Sequence, residues 1–183
     1  MSRILWAASV LLFSCGSSWA DVESGPTVGE KTPALKVRVV TNGQPAEPAD
    51  LVKERADNPT VYVVLPADKF DRPAARYLKG VDAAVSKLQK TQPNAGLTVI
   101  WLAEDTDAGA KRITQIQGSL QLTAGTWAVC PSTSPEGWSI HERAAVTAVV
   151  ATKGAVTARF GYDSVNENDV AKLEAALKPL GGQ

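Results

Sequence analysis

Few side chains in this 183-residue chain carry redox or metal chemistry: two cysteines, Cys15 and Cys130, and a single histidine, His141. A thiol acts as a nucleophile only as thiolate, which needs a helix N-terminus or a cation beside it, and dithiol exchange needs a second sulfur in reach. No Cys-x-x-Cys occurs. Cys130 would serve as the lone thiol of a single-cysteine peroxidase or oxidoreductase resolved by an external thiol. Its plainer reading is a small apolar residue closing the strand Trp127-Ala128-Val129, since reduced cysteine is among the most buried residue types. His141 has no second histidine and no adjacent cysteine, so a transition-metal site is not expected. No Gly-x-Ser-x-Gly elbow is present to make it a hydrolase base.

Two further clusters hold charged groups. Asp71, Arg72 and Arg76, with Asp68 just before them, open a helix, and a helix N-terminus favours anions, so the two arginines would hold a carboxylate or phosphate. An N-cap followed by a solvated first turn explains the same residues. Asp163, Glu167 and Asp169, with Asn166 and Asn168 among them, offer oxygen ligands for calcium. The EF-hand spacing and its glycine are missing, and helix capping uses the same residue types. No cofactor is implied.

Composition narrows the partners. Nineteen basic and nineteen acidic groups give zero net charge and a pI near 6.6, which argues against a nucleic-acid or anionic-membrane protein. At 44 % apolar the chain can build a core. Two cysteines exclude a disulfide scaffold and a cysteine zinc cluster. Residues 1–20 read as a signal peptide: Arg3, an apolar run over 4–13 too short to span a bilayer, then Ser18-Trp19-Ala20 with small residues at the cleavage positions. Leu12-Phe13-Ser14-Cys15 offers the alternative of lipidation, with an anchor at Cys15. Either route exports the chain to the periplasm or beyond, leaves Cys130 as the one thiol of the mature domain, and makes an envelope protein or a small ligand the expected partner. No later stretch is long and apolar enough to cross a membrane.

The elements that must position these residues follow from periodicity. After a polar, Gly/Pro-punctuated arm over 21–34, a domain spans 35–180. Residues 35–40 alternate apolar and basic as a half-exposed strand, and Asn42-Gly43 is a turn. Residues 45–57, with Pro45 and Pro48, read as a loop entering a short helical turn. Residues 60–65 and 97–102 are β-branched, apolar runs expected as buried strands. Between them Asp71 caps a helix with Pro73 in its first turn and Leu78, Val81, Val85 and Leu88 on one face. A second helix starts at residues 104–107 and buries Ile113, Ile116 and Leu120. Residues 126–130 form a strand, 131–137 a loop, and 145–151 with 155–160 a hairpin turned at Lys153-Gly154. The last helix starts near Ser164 with Glu167 as its capping partner and a core face of Val170, Leu173, Leu177 and Leu180. Trp101 and Trp127 fall in strands and belong to the core. Trp138 falls in a loop, either as an exposed anchor for a partner or as a lid over the core.

This order predicts an α/β single domain with a mixed central sheet flanked by helices, the thioredoxin-like arrangement. Over most of 26–180 the chain resembles the redoxin/peroxiredoxin branch of the thioredoxin superfamily: Val28-Gly29-Glu30-Lys31-Thr32-Pro33 looks like its opening segment, Val63-Val64-Leu65-Pro66 like the strand before the active-site helix, and the run from Val149 to Gly154 like its hairpin. The resemblance implies a thiol at the start of that helix. Counting from Pro66 as in peroxiredoxins, the threonine and peroxidatic cysteine positions hold Phe70 and Pro73. The proline that thioredoxins place before the hairpin strand falls near Val146, and the activating arginine position holds Ala145, with Arg143 two residues away. The expectation is therefore a thioredoxin-like domain without a redox-active cysteine, acting as a binding or interaction module. The alternatives are a thiol enzyme on Cys130 and an anion- or calcium-binding protein.

Overall fold

In the computed structural model, which describes residues 22–55, 57–131 and 134–182, chain order runs β1 (Lys36–Thr41), β2 (Gln44–Asp50), α1 (Leu51–Arg55), β3 (Thr60–Pro66), α2 (Arg72–Leu88), β4 (Gly96–Leu102), α3 (Thr106–Leu120), β5 (Gly125–Cys130), β6 (Val146–Thr152), β7 (Ala155–Tyr162) and α4 (Val170–Leu177). The expected signal peptide, its cleavage point and Cys15 lie outside the described residues. No helix among those residues is long and apolar enough to cross a membrane.

The strands form one seven-stranded sheet in the order β2-β1-β5-β4-β3-β6-β7. β3, β4 and β5 are parallel, while β1 joins β5 and β6 joins β3 antiparallel. The crossovers from β3 through α2 and from β4 through α3 step in one direction along the sheet. Right-handed crossovers then put both helices on the same face. Side-chain alternation agrees. Val61, Val63, Leu65, Val99, Trp101 and Val129 share a cluster with α2, α3 and α4. Tyr62, Val64, Ile100, Leu102, Ala128 and Cys130 point the other way and pack with Leu35, Val37, Leu51 and Trp138.

Helix starts are fixed by side chains. Asp71 accepts the Ala74 N–H at 2.9 Å with Pro73 in the first turn, as the sequence predicts. Asp105 accepts from Asp107 and Ala108, both at 3.0 Å. The last helix differs from expectation. Its capping pair is Asn166 and Asp169, not Ser164 and Glu167, and a short 3-10 turn over Glu167–Asp169 leads into α4. Asn offers the acceptor geometry that a serine two residues earlier would have supplied.

β2 is the larger correction. Residues read as loop pair antiparallel with β1, with Pro45 opposite Val40 and Pro48 opposite Arg38. Proline lacks the N–H of a central strand, but β2 is an edge and its outer side needs no donors. Both hairpins turn on residues with positive φ, Asn42-Gly43 and Lys153-Gly154, the conformation two-residue turns demand.

The arm over 22–34 runs along β7. Val22 N–H donates to Gly161 O (2.9 Å), Gly29 N–H to Val156 O (2.8 Å) and Thr32 N–H to Gly154 O (2.9 Å). A Cβ on Gly161 would stand 2.3 Å from the Val22 carbonyl oxygen, so only glycine admits the arm there. One further tie was not foreseen. Asp82, on the inner side of α2, accepts the N–H groups of Thr123 and Ala124 (2.9 and 2.8 Å) and the Thr123 hydroxyl (3.1 Å), fastening the approach to β5 onto α2.

Candidate functional site

Parallel strands that end together leave a crevice beyond their carboxyl ends, where ligands of open α/β sheets sit. Here β3 and β4 end in register, Pro66 opposite Leu102. A cleft of about 380 Å³ lies beyond them, walled by residues 66–69, 102–104 and 140–142. Its apolar lining is Pro66, Ala67, Leu102, Ala103 and Ile140, with Asp68, Lys69, Glu104, His141 and Glu142 supplying charge. Lys69 Nζ donates to the Glu142 carbonyl oxygen and so links two walls.

The third wall comes from the loop between β5 and β6 and is held from behind. Trp138 is fully buried, edge-on to Tyr62 at 5.3 Å between centroids, and its indole N–H donates to Ala34 O at 3.2 Å. The tryptophan is thus a lid over the core, and the exposed-anchor reading is corrected. Burial in turn pushes the Tyr62 hydroxyl up to about 12. His141 N–H donates to Ser24 Oγ (2.9 Å), which lies 2.6 Å from Thr147 Oγ1, so the arm also braces this loop. His141 Nδ1 accepts the Arg143 N–H at 3.1 Å. His141 thus lines the cleft with its ring nitrogen Nδ1 engaged by the backbone.

The residues expected at the start of α2 are in place but do not line the cleft. Asp71 is spent on its cap, and Arg72 and Arg76 are exposed on the outer side of the helix. Phe70 packs edge-on against Trp101 at 5.0 Å, and Pro73 opens the helix. Before β6, Ala145 N–H donates to Tyr162 O at 2.7 Å, a bond proline cannot make. Arg143 pairs with Asp163 at the surface. Cys130, 3 % exposed, stands opposite Leu102 at the end of β5, on the face turned away from α2.

The calcium candidates are otherwise engaged: Asp163 with Arg143, and Asp169 with the Asn166 N–H (2.9 Å) and Lys172 (3.5 Å). Glu167 lies in the 3-10 turn ahead of α4. Among the described residues no three His, Cys, Asp or Glu side chains gather as metal ligands. Sequence reasoning missed the wall at 140–142 and the Ser24–Thr147 contact. Residues so far apart in the chain leave no local pattern that pairs them.

No protein-family model and no curated protein matches the chain. Among solved structures it is similar to a secreted thiol-disulfide isomerase from Corynebacterium glutamicum, at 13 % identity over 96 % of this chain and 99 % of that one, TM-score 0.63. It is also similar to a DsbF homologue from Corynebacterium diphtheriae (15 % identity, 93 % and 100 % covered, TM-score 0.55) and to AhpC from Enterococcus faecalis (14 %, 86 % and 98 %, 0.56). Likeness at this identity establishes architecture. The chain has the thioredoxin-like fold, in the form found in thiol-disulfide oxidoreductases and peroxiredoxins.

Proposed function

We propose that this is an exported thioredoxin-fold protein that binds a partner in the cleft beyond β3 and β4 without turning it over. One observation carries the reading. The connection from β3 to α2, where the resemblance puts the reactive thiol, holds an N-cap, an arginine and a proline, Asp71-Arg72-Pro73, while Cys130 is buried on the opposite face of the sheet. A thiol so placed is away from the head of α2 and lacks the access that thiol chemistry needs. The cleft is there, with apolar lining, a bridging lysine and His141 at its wall, which suits a segment of an envelope protein or a small polar ligand. Export is supported by the signal-like N-terminus and by the secreted status of the similar Corynebacterium glutamicum isomerase.

Turnover assays decide first. Purified protein is expected to consume peroxide and reduce insulin no faster than its Cys130→Ser variant. An enzyme-like rate that the variant loses would end the proposal. Capture of partners from the cell envelope should then weaken with His141→Ala and with Lys69→Ala.

A further inference from the structure

The nineteen basic and nineteen acidic groups cancel in number but not in space. Residues 72–90 hold five cations, Arg72, Arg76, Lys79, Lys87 and Lys90, against one acid, Asp82. Asp82 faces inward, its oxygens taken by Thr123 and Ala124. The rest of the chain keeps fourteen basic and eighteen acidic groups. Positions 72, 76, 79, 83, 87 and 90 succeed one another at spacings of three and four, so they share one side of α2 and its continuation, and all six are exposed. Ala83 is the one uncharged member. None of the five cations makes an ion pair or side-chain hydrogen bond among the described residues. Two acids border the stripe: Asp71, whose Oδ1 is held by its cap, and Glu174, across a groove that it shares with Lys87 and Lys178.

We infer that this outer face of α2 is an electrostatic docking surface for an anionic phospholipid bilayer. The stripe runs about 27 Å at the helical rise per residue. It follows one side of a helix, with neighbouring cations three or four residues apart except across Ala83, where Lys79 and Lys87 stand about 12 Å apart along the axis, and the groove at its end takes only Lys87 of the five. Such an array fits a flat, extended lattice of negative headgroups better than a single anionic ligand. With no large apolar side chain on the stripe, the contact is adsorption without insertion. The rest of the chain carries the acidic excess, so the positive charge is concentrated on this one helix side. The expected export signal brings the protein to a membrane face where such headgroups occur. The zero net charge that argued against this partner reports a total and not a distribution. The inference is independent of what occupies the cleft.

The test is sedimentation of the full protein with phosphatidylcholine vesicles with and without phosphatidylglycerol, at low salt and at physiological ionic strength. Binding is expected only with phosphatidylglycerol, weaker at the higher salt as screening sets in. Each neutralised cation should lower it about five-fold, so a variant with Arg76→Gln, Lys79→Gln and Lys87→Gln should lose roughly a hundred-fold. A control losing the same charge from exposed sites elsewhere, Lys31→Gln, Lys36→Gln and Lys53→Gln, should bind far better than that variant. All these sites are exposed, and circular dichroism checks that both variants fold. No preference for phosphatidylglycerol, or equal losses in the two variants, overturns the inference. So does tight capture by soluble dextran sulfate at a salt concentration where the vesicles release the protein, which would assign the stripe to a polyanion.

Discussion

Trp138 is the residue on which the third wall of the cleft hangs, and truncating it measures that dependence. The side chain is completely buried, meets Tyr62 edge-on and donates to Ala34 O. Removing a buried Trp costs about 3–5 kcal/mol. Within that, the indole hydrogen bond accounts for about 1 kcal/mol and the aromatic contact for about 0.5–1.5 kcal/mol. The remainder is packing against the cluster that contains Leu35, Leu102 and Cys130. For a domain of this size each kcal/mol lowers Tm by about 2–4 °C, so Trp138→Ala should melt about 6–20 °C below wild type. Trp138→Phe keeps a ring against Tyr62 and loses the N–H, and should cost about 1–2 kcal/mol. Urea unfolding followed by circular dichroism, with calorimetry beside it, gives both numbers. If Trp138→Ala falls within about 0.5 kcal/mol of wild type, as a surface change would, the loop is not pinned by burial and the geometry assigned to residues 140–142 loses its basis.

Three further outcomes follow from the same packing. Asp82→Ala should destabilise by about 2–4 kcal/mol, because hydrogen bonds to a charged acceptor are worth about 1.5–3 kcal/mol each and water reaches the partly exposed loop to recover some of the loss. Denaturant unfolding checks it, and a change under about 0.5 kcal/mol would show the tie to Thr123 and Ala124 to be inconsequential. Cys130 should react with a bulky disulfide reagent at least about a hundred times more slowly in the native protein than in denaturant, since local opening of about 3 kcal/mol must come first; equal rates would restore the thiol reading. Burial raises the Tyr62 hydroxyl to about 12 and holds Tyr77 well above the usual phenol range. Raised folded-state values favour the neutral side chain in the fold. The stability they contribute is therefore complete below pH 10 and is lost as pH climbs from there, for Tyr62 through about 12. Absorbance titration should show these two phenols ionising only with alkaline unfolding. Ionisation near pH 10 with the fold intact would contradict the packing.

The fold was legible where local chemistry and tertiary role agree. Continuous β-branched runs became β3 and β4, and Asp71-Arg72-Pro73 could only begin a helix. Reading failed where the environment reverses a residue's usual meaning. Pro45 and Pro48 forbid a central strand but not an edge, so β2 was invisible from composition. Trp138 in a polar loop carries no periodicity to say which way it points, and its burial depends on Tyr62 and Ala34, both distant in sequence. For the site, the sequence located the helix N-terminus, where no cysteine stands. It could not find the cleft, because that volume is made by the ends of β3 and β4 meeting a loop that precedes β6, three segments with no common pattern. Arg72 and Arg76 were noticed for their place in the first turn. Their membership in a longer stripe emerges only when exposure along the whole of α2 is known.

The cleft and the head of α2 have separate structural origins, which is what the proposed function requires. Parallel β3 and β4 must end somewhere, α2 must leave from the end of β3, and β6 must enter antiparallel beside it, so a crevice among these three segments is set by topology. A thiol at the head of α2 is an addition to that geometry. Here Asp71 and Pro73 stabilise the helix start, and Ala145 makes the backbone bond to Tyr162 that a proline before β6 would forgo. Under the proposed reading the chain carries no electron transfer at this point, while the walled, partly apolar recess with a lysine bridge across it is present. The two proposals divide cleanly on this point. A Pro73→Cys variant would test the chemistry of the head of α2 without touching Arg76, Lys79 or Lys87, and should leave vesicle binding unchanged. Neutralising those three should weaken vesicle binding roughly a hundred-fold and leave the cleft's partner in place. If either change moved both properties, cleft and stripe would form one surface, and they would have to be assigned together.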